Sequence, residues 1–179
     1  MDKQSLRSLA KERRNAFILN NKLPFAPCPT FTQMLARRPI VAGYSAKGSE
    51  ADPRPFIAAA RAQGCTIALP RLTSRDGAMT FHSVETNTPL EPGPYGLQQP
   101  PPCAPIIAPE IILLPLLGFT RRGDRLGQGG GHYDRALTHL PNATRIGIAW
   151  SVQEMAALPT DPWDMPLHYI VTEKEWMKA

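Results

Sequence analysis

Apolar residues along this chain alternate between helical and extended spacing from one end to the other. From Gln4 to Asn20 the period is helical, with Leu6, Leu9, Ala10, Ala16 and Phe17 near one face. A proline-broken linker, Leu23 to Pro29, leads to a short helix around Phe31 to Ala36. Pro39 to Tyr44 reads as a strand, and Pro53 suits the first position of a helix that runs to Gln63 with Phe56, Ile57 and Ala60 inward and stops at Gly64. Strands follow at Cys65 to Leu69 and, after the Ser74 to Gly77 turn, at Met79 to His82. Glu85 to Pro109 is too rich in proline for a helix and too long for an ordinary connection, so it is expected to be an ordered crossing that carries residues to a site. The apolar run Ile111 to Phe119 predicts a strand covered on both faces, and Tyr133 to Leu140 a helix facing inward through Ala136, Leu137 and Leu140. Strands at Arg145 to Ala149 and Tyr169 to Thr172, separated by a proline-rich turn through Asp164, complete an α/β sandwich with a largely parallel sheet.

Between the apolar strand and its helix lies the stretch with the most chemistry, Arg121 to Asp134, reading R-R-G-D-R-L-G-Q-G-G-G-H-Y-D. Glycines let backbone N–H groups approach an anion, and a following helix aims its positive end at the same point. The loop lacks the G-K-[ST] ending of a Walker A motif, and its G-x-G-x-G spacing is not the dinucleotide fingerprint. A plain surface turn is the alternative. Arg121, Arg122 and Arg125 are candidate phosphoryl clamps, and Asp134 either caps the helix or holds a divalent metal. On the first helix Lys3, Arg7, Lys11 and Arg14 stack along one face, either as a solvated stripe or as a second jaw for the same anion. Ser45 to Glu50 follows a strand at the end where open α/β sheets bind ligands.

Composition narrows the classes. The 179 residues are enough for one domain, 1–179, with a substantial core. A formal charge of +5 suits an anionic ligand but is too dilute to demand nucleic acid, and at 7% aromatic residues with no RNP-like pattern an RNA-binding module is disfavoured. Cys28, Cys65 and Cys103 show no metal or disulfide spacing, which fits a reducing compartment. The polar N-terminus and the lack of a span-length apolar stretch predict an unprocessed cytoplasmic protein without a membrane anchor.

With those residues assembled, the chain resembles the 5-formyltetrahydrofolate cyclo-ligase family, whose central signature has the form A-F-D-x-x-G-x-R-L-G-x-G-x-G-Y-Y-D. Gly118 to Asp134 reads G-F-T-R-R-G-D-R-L-G-Q-G-G-G-H-Y-D. Further matches are K-x-x-L-R at Lys3 to Arg7, the Gly43-Tyr44 loop leading to Glu50, Pro70-Arg71, Gly147-Ile148-Ala149, Gln153, Leu158-Pro159, Trp163-Asp164 and Val171-Thr172-Glu173. The resemblance implies a three-layer α/β sandwich similar to the ribose-phosphate isomerase and coenzyme A transferase group, and a monomer is expected. It also implies closure of 5-formyltetrahydrofolate to 5,10-methenyltetrahydrofolate with ATP and magnesium, a step of one-carbon metabolism.

By the same resemblance, Lys3, Gln4, Ser5, Leu6 and Arg7, together with Arg125, Leu126, Gly127, Gln128, Gly129, Gly130, Gly131, His132 and Tyr133, grip ATP. Glu50 and Gln128 to His132 face the folate, Asp134 and Asp164 hold magnesium, and Arg125, Glu50 and Tyr133 are the catalytic candidates. The chain departs from the family pattern at Thr120 for Asp, His132 for Tyr, Trp163 for His, and Gln99 where Glu is expected. Thr120 and Gln99 are the grounds for a second reading, a relative that binds ATP or folate but has lost the reaction. Glu50 also has a plainer role open to it, as a carboxylate near a helix start.

Overall fold

The structure, a computed structural model, describes residues 2–20 and 24–179. In chain order it runs α1 (Lys3–Asn20), α2 (Pro29–Met34) ending in a 3-10 turn (Leu35–Arg37), β1 (Ile40–Ala42), α3 (Arg54–Ala62), β2 (Thr66–Leu72) and β3 (Met79–Ser83). Then come β4 (Glu91–Pro92), a 3-10 turn (Pro94–Gly96), β5 (Gln98–Gln99), β6 (Ile111–Pro115), β7 (Gly118–Phe119) and β8 (Arg125–Leu126). The remainder is α4 (His132–Thr138), β9 (Thr144–Ile148), a 3-10 turn (Ser151–Gln153), β10 (Tyr169–Val171) and β11 (Trp176–Lys178).

Seven strands form one sheet in the order β11-β10-β9-β6-β1-β2-β3. β10, β9, β6, β1 and β2 are mutually parallel, and antiparallel β11 and β3 close the two edges. Side chains alternate across a strand, and β6 shows the result. Ile111 and Leu113 enter one core with Phe31 of α2, Phe56 of α3 and Phe17 of α1, while Ile112 and Leu114 enter the other with Ala136 and Leu137 of α4. Val41 and Ala42 of β1 divide the same way, as do Val171 and Ile170 of β10. Helices therefore cover both faces of a largely parallel sheet, which is why the central strands are apolar throughout rather than alternating.

Several expectations are corrected in detail. The single strand expected over Ile111 to Phe119 stops at Pro115, which has no N–H for a further ladder bond. Beyond it, Gly118 and Phe119 turn away to pair with Leu126 and Arg125 in a separate hairpin. The Glu85 to Pro109 crossing contains the short β4–β5 hairpin, and Arg71 braces it to β2 by donating to Glu91 and to the Pro100 carbonyl. β2 runs three residues past Leu69, and α4 begins one residue earlier and ends two earlier than expected. β11 is an addition: it pairs with β10 through Ile170 and Met177. Leu23, the start of the expected linker, lies outside the described residues. Among the described residues no helix is long and apolar enough to cross a membrane.

Candidate active site

A cavity of about 1090 Å³ opens where the loops leaving β1, β8 and β9 meet α1. Its wall includes Gly127 to Asp134, so the glycine-rich stretch borders a ligand-sized space, with Gln128 to Gly130 exposed at its mouth. Within the loop Gly129 and Gly131 adopt φ of +104° and +63°, a region closed to most side chains, whereas Gly127 does not. Gly131 caps α4, and Arg7 of α1 donates through Nε to the Gly127 carbonyl at 3.1 Å, which joins the two jaws.

The α1 stripe borders the cavity: Lys3, Arg7, Lys11 and Arg14 all line it, Lys11 exposed and Arg14 buried. Lys3 Nζ donates to Asp161 at 2.6 Å and to Asp164 at 2.9 Å. Burial alone lowers the Lys3 pKa, but the two aspartates outweigh it and the net shift is upward. For Asp164 burial pushes the pKa up, and the Asp161 backbone N–H and Lys3 more than offset that, so the carboxylate lies below its ordinary range. Arg125, whose side chain is only 5% exposed, donates to Asp134 Oδ1 and to the Met165 carbonyl. One end of the cavity is thus a lattice of cations and carboxylates around a glycine loop.

At the other end Glu50 spans two segments. Its Oε2 accepts from the Lys47 N–H at 2.9 Å and its Oε1 from the Gln128 amide at 3.1 Å. The first bond fixes its own loop and the second reaches the glycine loop across the cavity, so Glu50 is more than a residue near the start of α3. Tyr44 and Tyr133 stand nearby. Burial first, and then Glu50, push both phenols well above their ordinary pKa, so at neutral pH each carries its proton. His132 is held below its ordinary pKa by burial and then by Arg135. Its Nδ1 lies 3.0 Å from Arg135 Nη2 and therefore accepts, leaving Nε2 as the protonated nitrogen, turned toward the backbone of Gly77.

Of the residues singled out from sequence, Lys3, Arg7, Glu50, Arg125 to Asp134 and Asp164 all meet on this wall. Gln4 and Ser5 are exposed and do not line it, and Leu6 packs instead with Leu117, Leu126 and Leu158. Arg121 and Arg122 are not clamps. Arg121 is paired with Glu154 at 2.9 Å and Glu175 at 2.6 Å, and Arg122 is exposed at the β7–β8 turn, because the hairpin carries both away from the cavity. The capping alternative for Asp134 also fails, since it sits in the first turn of α4 behind Gly131. Asp161, Tyr44 and Lys47 also line the wall and were not among the candidate site residues. Tyr44 and Lys47 lie in the Gly43 to Glu50 stretch that the sequence marks as a ligand-binding strand end, whereas Asp161 has no such mark beyond being an acid three residues before Asp164.

Residues 2–173 match the 5-formyltetrahydrofolate cyclo-ligase family. The chain belongs to that family. The 5-formyltetrahydrofolate cyclo-ligase of Escherichia coli K12 is 28% identical over 158 residues, which is 81% of this chain and 87% of the relative. That of Haemophilus influenzae is 36% identical over 91 residues, and this match spans 48% of the chain and 49% of the relative. Two solved 5,10-methenyltetrahydrofolate synthetases share the fold at 24% identity. The one from Aquifex aeolicus has a TM-score of 0.77, covering 99% of this chain and 93% of its own, and the one from Mycoplasma pneumoniae has 0.70, covering 97% and 99%.

Two departures from the family pattern have structural explanations. Thr120 is 2% exposed and sits in the β7–β8 turn, where its hydroxyl donates to Asp124 Oδ2 at 2.7 Å. It does not line the cavity, so no metal-binding carboxylate is lost there. Gln99 both accepts from the Leu72 N–H at 3.1 Å and donates to the Leu72 carbonyl at 3.3 Å, and an ionised Glu could only accept. Among the described residues no cluster of three or more His, Cys, Asp or Glu side chains is assembled for a metal. Magnesium usually needs just one or two carboxylates beside phosphate oxygens and water, and the described bonds use only one oxygen each of Asp134 and Asp164. That donor set fits magnesium arriving with a nucleotide.

Proposed function

We propose that this protein converts 5-formyltetrahydrofolate to 5,10-methenyltetrahydrofolate, consuming ATP and releasing ADP and phosphate. The observation that carries the reading is one cavity wall that holds both an anion-binding end, built from Lys3, Arg7 and Gly127 to Gly131, and a polar and aromatic end, built from Glu50, Tyr44 and Tyr133. Two substrates placed at those ends meet beside Gln128, which already joins them through Glu50.

The formyl oxygen is a poor leaving group. Transfer of the γ-phosphoryl group of ATP to that oxygen makes a better one; N10 then attacks the formyl carbon, the C–O bond breaks, and the oxygen departs within phosphate, which takes up the proton lost from N10. The protein contributes positioning and charge neutralisation. Lys3, Arg7 and the N–H groups of Gly129 to His132 hold phosphoryl oxygens. Arg125 adds positive charge there and fixes Asp134. Asp134 and Asp164 would hold magnesium, which supplies charge neutralisation to the phosphates when bound. Glu50 and Gln128 orient the reduced pterin, and Tyr133, with its phenol protonated, serves as a hydrogen-bond donor rather than a base. His132 borders the folate side of the cavity. The protein acts as a cytoplasmic single-domain monomer.

The test is the near-ultraviolet absorbance of the methenyl product in the presence of 5-formyltetrahydrofolate, ATP and magnesium. ATP-dependent product formation is the expected result. Binding of both substrates without product would favour the relative that has lost the reaction, and absence of binding would reject both readings.

A further inference from the structure

Arg14 is the one charged side chain among the described residues that buries a polar atom without a hydrogen-bond partner. It lines the cavity yet is only 4% exposed, and its Nη1 is buried without a hydrogen-bond partner. Its single described hydrogen bond runs from Nε to the Ser49 hydroxyl at 2.9 Å, and that hydroxyl in turn donates to Asn15. No ion pair between described residues includes Arg14. Glu50 is its main charged influence, and with Tyr44 it opposes the downward pull of burial on its pKa. A buried guanidinium left in that condition destabilises the empty protein, and an acceptor supplied by a ligand would relieve it.

Position decides which ligand. Arg14 lies seven residues, about 10 Å of helix, beyond Arg7 and the Gly127 carbonyl, on the side of Ser49 and Glu50. Arg14 therefore offers a donor beside the Glu50 acceptor, a combination that matches a ligand edge with a carbonyl oxygen next to an N–H. On the reading proposed above, the substrate group with such an edge is the lactam of the reduced pterin. We infer that Arg14 is a substrate anchor whose guanidinium donates to the lactam oxygen while Glu50 accepts from the adjoining N–H. This assignment favours a pterin over small formylated amines, which lack that edge.

The experiment uses Arg14→Met and Arg14→Lys in the full chain. Each is tested for thermal stability, for KM of ATP and of 5-formyltetrahydrofolate, and for calorimetric binding of a 5-formyltetrahydropterin fragment without the aminobenzoyl-glutamate tail. Arg14→Met should keep or raise the melting temperature, leave the KM for ATP unchanged, and weaken both the fragment and the intact folate by roughly 10- to 100-fold, the factor expected for a charge-assisted hydrogen bond. Arg14→Lys should recover part of that loss. Weakened intact folate with unchanged fragment would place Arg14 on the glutamate carboxylates and overturn the lactam assignment. A lowered melting temperature with unaltered binding would make Arg14 structural and overturn the anchor. Fragment binding does not depend on turnover, so a wild-type protein that binds the fragment and makes no product would count against the ligase reaction and leave the Arg14 result standing.

Discussion

Replacing single glycines of the loop by alanine should separate what the backbone requires from what the ligand requires. At Gly129 φ is +104°, and an added Cβ would lie 3.3 Å from Arg7 Cζ, so the backbone is strained and the Arg7 guanidinium that holds the Gly127 carbonyl must shift. A residue in such a region costs about 1–3 kcal/mol. For a chain of this size that is a fall in melting temperature of roughly 2–4 °C per kcal/mol. At Gly127 φ lies outside the left-handed region and an added Cβ meets nothing within 4 Å. Gly127→Ala should therefore leave stability unchanged or raise it by about 0.4–1 kcal/mol through the unfolded chain. The same methyl would enter open space at the cavity wall, where a phosphate is expected, so the KM for ATP should rise although the fold is intact. Thermal melts and ATP kinetics on both variants test this. Equal destabilisation by Gly127→Ala and Gly129→Ala would refute the assignment of strain, and an unchanged KM in Gly127→Ala would show that no phosphate rests there.

Asp134→Asn should raise the magnesium needed for half-maximal rate and depress turnover. A helix-cap role would have made the change nearly silent, but Gly131 occupies that position; superimposable magnesium curves would remove the metal role. Gln99→Glu should lower stability by about 1–3 kcal/mol, because an ionised carboxylate cannot donate to the Leu72 carbonyl; an unchanged urea midpoint would show that the pairing is dispensable. His168 gives a pH dependence. Burial first, and then Arg145, depress its pKa below the ordinary 6.5, so the folded state prefers the neutral ring. Its contribution is present above pH 6.5 and is lost as pH falls through the depressed folded value. Stability measured at descending pH should fall more steeply in the wild type than in His168→Gln, and parallel curves would contradict the argument.

Much of this protein was set by local sequence. The period of Gln4 to Asn20 and the unbroken apolar run at Ile111 to Leu114 encode a helix and a doubly covered strand, because side-chain direction repeats with the backbone. The glycine loop was legible for the same kind of reason: Gly129 and Gly131 occupy φ values that other residues avoid, so the sequence must mark them. Partnership was not legible. Lys3 meets Asp161 across 158 positions, and Arg121 looked equivalent to Arg125 until the β7–β8 hairpin sent one to Glu154 and Glu175 and the other to Asp134. Gln99 read as a lost acid, and only the approach of β5 to β2 gives its amide a partner at Leu72 that requires both a donor and an acceptor. Arg14 was one cation in a stripe of four, since periodicity gives the face of a helix but not what covers that face. Burial of a charge is settled when distant segments close over it, a matter of packing that no local pattern records.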